Sequence, residues 1–80
     1  MLRVLELGRD VANGEMRYAV TREDGGVFEV RISLTAKAMA TPSPERRIID
    51  WYKNNPVPEA RTSVAIPDDQ FDPHYHRFDP

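Results

Sequence analysis

Glu15-Met16-Arg17-Tyr18-Ala19-Val20-Thr21-Arg22-Glu23-Asp24-Gly25-Gly26-Val27-Phe28-Glu29-Val30-Arg31-Ile32-Ser33-Leu34-Thr35 alternates polar and apolar residues on both sides of one glycine-containing turn. A period of two is the signature of a half-buried strand, so the stretch predicts a β-hairpin. Met16, Tyr18 and Val20 share one face of the first strand, and Phe28, Val30, Ile32 and Leu34 share one face of the second. For those faces to coincide, paired residue numbers must sum to an even number. That excludes a two-residue loop at Asp24-Gly25 or Gly25-Gly26 and selects a three-residue loop, Asp24-Gly25-Gly26, with Gly26 in the left-handed conformation. The resulting register sets Val20 against Val30, Tyr18 against Ile32 and Met16 against Leu34. Ala19, Thr21, Glu29, Arg31 and Ser33 fall on the solvated face.

Upstream, residues 2–9 have strand character, and Asn13-Gly14 predicts a tight type I′ turn in which both central residues take positive φ. Pairing Ala12 with Glu15 places Val11 opposite Met16, Leu7 opposite Val20 and Asp10 opposite Arg17, apolar with apolar and acid with base. Arg9 beside Tyr18 is the poor fit in that register.

A meander with one apolar face needs a cover. Ser43-Pro44-Glu45 is a helix start, with Ser43 as N-cap, proline at the first helical position and an acid in the first turn. Ile48, Ile49, Trp51 and Tyr52 follow as an apolar stripe, and Asn54-Asn55-Pro56 ends the helix, with asparagine suited to a left-handed cap. Residues 36–40 permit a separate helical turn. Residues 62–66 alternate and are compatible with a fourth strand on an open sheet edge, stopped by Pro67. The fold class is therefore α+β: a three-stranded antiparallel β-meander packed on one α-helix at about 44–54, with a fourth strand near 62–66. The expected domain spans 1–66, and 67–80 form an irregular proline-rich acidic tail.

Composition sets bounds. Eighty residues make one small domain with a thin stability margin, and the absence of cysteine removes both disulfides and thiolate metal sites. All four glycines lie within residues 8–26 and all seven prolines within 42–80. Residues 1–61 hold ten Lys or Arg against nine Asp or Glu, whereas residues 62–80 hold one Arg against four Asp, so the acidity belongs to the tail. No signal peptide or membrane-spanning stretch is evident, which points to the cytoplasm.

The tail holds the one site-like cluster. In extended chain Asp72, His74 and His76 share a face, and two imidazoles with a carboxylate are a ligand set for Zn²⁺ or Fe²⁺. Phe-Asp-Pro occurs at 71–73 and again at 78–80. Phe71, Asp72, Tyr75 and Phe78 read as a partner-docking segment of aromatics, prolines and acids. The competing reading is that Phe71, Tyr75 and Phe78 cap the domain's own core. Trp51 is a core residue that extends to a partner interface if it does not fit beneath a three-stranded sheet. Arg46, Arg47 and Lys53, with Arg17 and Arg31, form a basic set, but an isoelectric point of about 5.6 and a sheet face without aromatics argue against nucleic acid. Catalysis finds less support: Ser33, Ser43 and Ser63 stand in unremarkable contexts, and no cofactor motif occurs. The expected function is a non-enzymatic protein-binding or regulatory module of the kind that includes inhibitors and accessory subunits. Its partner is another protein or a second copy as a homodimer, engaged by strand addition and by the tail.

Overall fold

A computed structural model describes residues 1–71 of the chain. Four strands, β1 (Arg3–Asp10), β2 (Glu15–Thr21), β3 (Val27–Ser33) and β4 (Ser63–Ala65), form one sheet in the order β1-β2-β3-β4. The first three make the antiparallel meander, and β4 joins β3 in parallel, with Val30 opposite Val64. Among the described residues one helix, α1 (Pro44–Asn54), and two short 3-10 turns, Lys37–Ala40 and Asp68–Phe71, lie on one face of the sheet. The return from β3 through α1 to β4 is the crossover that a parallel pair requires.

Parity holds in the second hairpin, and the register is offset. Met16, Tyr18 and Val20 do share the buried face with Phe28, Val30 and Ile32, but Val20 pairs with Phe28, Tyr18 with Val30 and Met16 with Ile32. The loop has three residues, Glu23-Asp24-Gly25, closed by Arg22 N donating to Gly26 O at 2.6 Å. Gly25, at φ +91°, is the left-handed residue in place of Gly26. Arg22 decides the position. Its guanidinium donates to both Asp24 carboxylate oxygens at 3.0 and 2.6 Å and to the Pro58 carbonyl at 3.0 Å, and it lies over Gly26, where a Cβ would sit 2.9 Å from Nη2.

The first hairpin departs further from expectation. Asp10 pairs with Glu15, so the connection is residues 11–14 rather than a two-residue turn. The Asp10 carboxylate accepts from the Asn13 amide at 3.2 Å and from Asn13 Nδ2 at 2.7 Å, and Gly14 N donates to Val11 O at 3.3 Å. These local bonds hold Asn13 at negative φ, with Gly14 alone at +64°, which excludes the type I′ geometry. Farther along, the ladder skips Leu7 between the Glu6–Tyr18 and Gly8–Arg17 pairs. This β-bulge reverses the facing of the strand, because one unpaired residue moves every side chain beyond it to the other side. Val4, not Leu7, therefore lies opposite Val20, and Glu6, not Arg9, lies beside Tyr18.

The core is one cluster. Tyr18, Val20, Phe28, Val30 and Ile32 from the sheet meet Ala38, Ile48, Trp51, Ile66 and Phe71. The helix begins as its sequence dictates, with Ser43 Oγ accepting from Arg46 N at 3.3 Å and Pro44 opening the first turn. Its end differs. Asn55 is extended rather than left-handed, and the two asparagines satisfy the last carbonyls with their side chains: Asn54 Nδ2 donates to Asp50 O at 2.9 Å and Asn55 Nδ2 to Trp51 O at 3.1 Å. No helix among the described residues is long and apolar enough to cross a membrane.

Candidate interaction face

Among the described residues, α1 and both 3-10 turns cover one side of the sheet and leave the other open. On the open side the rows run Arg3, Thr21, Val27; then Leu5, Ala19, Glu29, Ser63; then Gly8, Arg17, Arg31, Ala65. The face has two halves. Around Arg17 and Arg31 it is charged and internally neutralised. Arg17 grips Glu29 with two bonds of 2.6 and 2.8 Å, while Arg31 reaches Glu15 at 3.2 Å and Ser63 Oγ at 2.9 Å. Charge-assisted hydrogen bonding to Arg17 holds the Glu29 carboxyl below its ordinary range and raises the Arg17 guanidinium in turn. Cations engaged this way offer little to a phosphate backbone.

The other half is apolar. Leu5 is 64% exposed, Leu7 53% and Val27 45%, beside the small Ala19. A shallow groove of about 300 Å³ runs from Leu7, Ala19 and Val27 to Arg61, Thr62 and Ser63. Its far wall is the approach to β4, where Arg61 N donates to Val27 O at 2.7 Å and Thr62 O accepts from Glu29 N at 2.8 Å. Arg61 takes φ +67° to make that contact, a left-handed conformation costing an ordinary residue about 1–2 kcal/mol.

β1 is the edge of the sheet on this side, and its backbone can be assigned by alternation. Arg22 N bonds to Gly26 O and Leu34 N to Gly14 O, so the even-numbered residues of β2 turn their backbone groups toward β3 and the odd-numbered ones toward β1. Ala19 and Thr21 therefore bond to Leu5 and Arg3, and the N–H and C=O groups of Val4 and Glu6 point outward. The exposed leucines and the outward-pointing backbone thus lie on the same four residues of chain, and among the described residues nothing pairs with that backbone.

The residues singled out in sequence fare differently. Trp51 is 2% exposed, its indole N–H donating to Gln70 Oε1 at 3.1 Å and its ring 6.5 Å from that of Phe28, so it fits beneath the sheet and presents no surface to a partner. Phe71 is buried in the same cluster, and its carbonyl accepts from Arg47 Nη2 at 3.2 Å. Residues 67–71 accordingly pack on the body rather than extend from it. Asp72, His74, Tyr75, His76 and Phe78 lie outside the described residues. Among the described residues no cluster of His, Asp or Glu is arranged to hold a metal ion.

Sequence reasoning missed Leu5 and Leu7 as surface residues because a regular ladder would have sent Leu7 inward. The available signal was Gly8, at φ +124°, since a glycine within a strand pattern marks a bulge. Comparison with known protein families, with curated proteins and with solved structures finds no match to this chain.

Proposed function

We propose that this protein is a small non-enzymatic binding module that engages another polypeptide by strand addition at the outer edge of β1. One observation carries the reading. An eight-residue strand lies at the sheet edge with Leu5 and Leu7 exposed beside its outward backbone groups. Edge strands are normally blunted by charge, proline, bulges or a covering element. β1 carries charges and a bulge at Leu7 that limit its length, but it keeps a regular segment at Val4–Glu6 whose outward N–H and C=O groups lie beside exposed leucines, the combination that recruits another strand. Main-chain bonds at Val4 and Glu6 supply attachment, and the groove beside Leu7 and Val27 supplies side-chain selectivity. Such a module serves as an inhibitor or accessory subunit, and its cysteine-free composition suits a reducing cytoplasm.

The test is affinity purification from the native host with three baits: the full chain, Glu6→Pro and residues 1–71. Proline is tolerated at an edge position whose N–H faces outward, so Glu6→Pro removes the donor while sparing the ladder to β2. A stoichiometric protein lost with Glu6→Pro and kept with 1–71 supports the edge. The same protein recovered equally with Glu6→Pro rejects it, and loss with 1–71 alone assigns binding to the tail residues Asp72, Tyr75 and Phe78.

A further inference from the structure

Resting on the strand-addition reading, we infer that one occupant of the β1 edge is a second copy of β1, paired antiparallel about a two-fold axis through Leu5. Two-fold pairing of identical antiparallel strands requires a residue to face its own mate, and the segment offers three centres. Centring on Glu6 sets two carboxylates directly opposite each other, which repels. Centring on Val4 sets Leu5 against Arg3 and Leu7 against Met1 of the other copy, the latter beyond the end of the strand, so no leucine meets a leucine. Centring on Leu5 pairs Leu5 with its mate, Leu7 with the stem of Arg3, and Val4 with Glu6, on both sides of the axis.

That last centre agrees with the backbone. Val4 and Glu6 are the residues whose N–H and C=O point outward, so they form two reciprocal hydrogen-bonded pairs flanking a non-hydrogen-bonded pair at Leu5. It also agrees with the side chains. Non-hydrogen-bonded positions bring side chains closest, and they are occupied here by the exposed leucines, so the two strips merge into one cluster of four leucines on the open face. Charge does not oppose the approach, because β1 carries Arg3 and Arg9 against Glu6 and Asp10. The paired segment ends at the bulge, which keeps the contact below the ~800 Å² per partner of a standard interface and makes it reversible.

The register can be read chemically, since the chain has no cysteine of its own. In the inferred dimer the two Leu5 Cα atoms stand about 4.5 Å apart, at the short end of the disulfide range. The two Leu7 Cα atoms are four residues out of step, roughly 13 Å apart, and cannot be bridged. Under mild oxidation Leu5→Cys is expected to form a covalent dimer at least tenfold faster than Leu7→Cys, and sedimentation equilibrium of the unmodified chain should show a monomer–dimer equilibrium that Glu6→Pro shifts to monomer. Equal cross-linking of the two cysteine variants, or a monomer at every concentration, would overturn the second copy as occupant. Either result leaves strand addition by a different chain standing or falling on the Glu6→Pro bait, so the two failures are separable.

Discussion

Asp68 caps a helical turn that belongs to another part of the chain: its carboxylate accepts the backbone N–H of Lys37 at 2.8 Å and that of Ala38 at 3.3 Å. The 3-10 turn at Lys37–Ala40 has Ala36 at its own N-cap position, with no side chain able to serve, so Asp68 supplies the missing acceptor from thirty-one residues away. Asp68→Ala is expected to cost about 1 kcal/mol, as for loss of a local cap, while Asp69→Ala at the exposed neighbouring position leaves the melting temperature unchanged. Thermal unfolding of the two variants side by side checks this.

The same segment delivers Gln70 and Phe71 to the core. Phe71→Ala should lose about 3 kcal/mol, within the range for emptying a buried aromatic site, and Gln70→Ala about 1 kcal/mol through the stranded indole N–H. Trp51 is the sole tryptophan, so its emission reports both changes directly. A red shift is expected in each variant, larger for Phe71→Ala, with denaturant midpoints falling in the same order.

Much of this fold is legible in the sequence, and what is not has physical causes. Tyr18, Val20, Val30 and Ile32 are buried as their alternation requires, and Ser43-Pro44 opens the helix where its chemistry says it should. The registers were harder to read because side chains outbid turn propensity. Asp10 holds Asn13 and reshapes the first connection, and Arg22 with Asp24 moves the second loop one residue back. Those are contacts between residues two or three apart whose strength no periodicity expresses. The candidate face was less legible still, since it depends on a single unpaired residue, Leu7, whose effect appears only once β2 is laid beside it.

The two glycines of the second loop should respond differently to a methyl group. Gly25→Ala forces an ordinary residue to φ +91° and is expected to cost about 1–2 kcal/mol. At Gly26 the obstacle is the Arg22 guanidinium, held by Asp24 and the Pro58 carbonyl, so the cost of Gly26→Ala is that of displacing this group and should vanish in an Arg22→Ala background. A double-mutant cycle by urea denaturation measures the coupling; additivity of the two changes would contradict the packing described.

Alkaline pH should destabilise the fold through Tyr18. Burial first, then the carboxylates of Glu45 and Glu6, push its phenol up to about 12. In the unfolded chain the same group ionises near pH ~10. The folded state therefore binds the proton more tightly, so the stability tied to this phenol is complete below pH ~10 and is lost as the pH rises from there through about 12. Tyr18→Phe keeps the ring, gives up only the hydroxyl contact to Met39 Sδ at 3.6 Å, and should flatten the decline. Melting temperatures measured from neutral to strongly alkaline pH for both proteins test the difference.

The bulge at Leu7 has a consequence for uncontrolled association. A fibril grows when a sheet offers a long, straight template at each end, so that every added strand recreates the surface it covered. Here the leucine-bearing edge loses its regular ladder after Glu6, and the opposite edge, β4, is three residues long and followed at once by Ile66 and Pro67. An exposed edge that would otherwise invite open-ended stacking is therefore confined to finite partnerships.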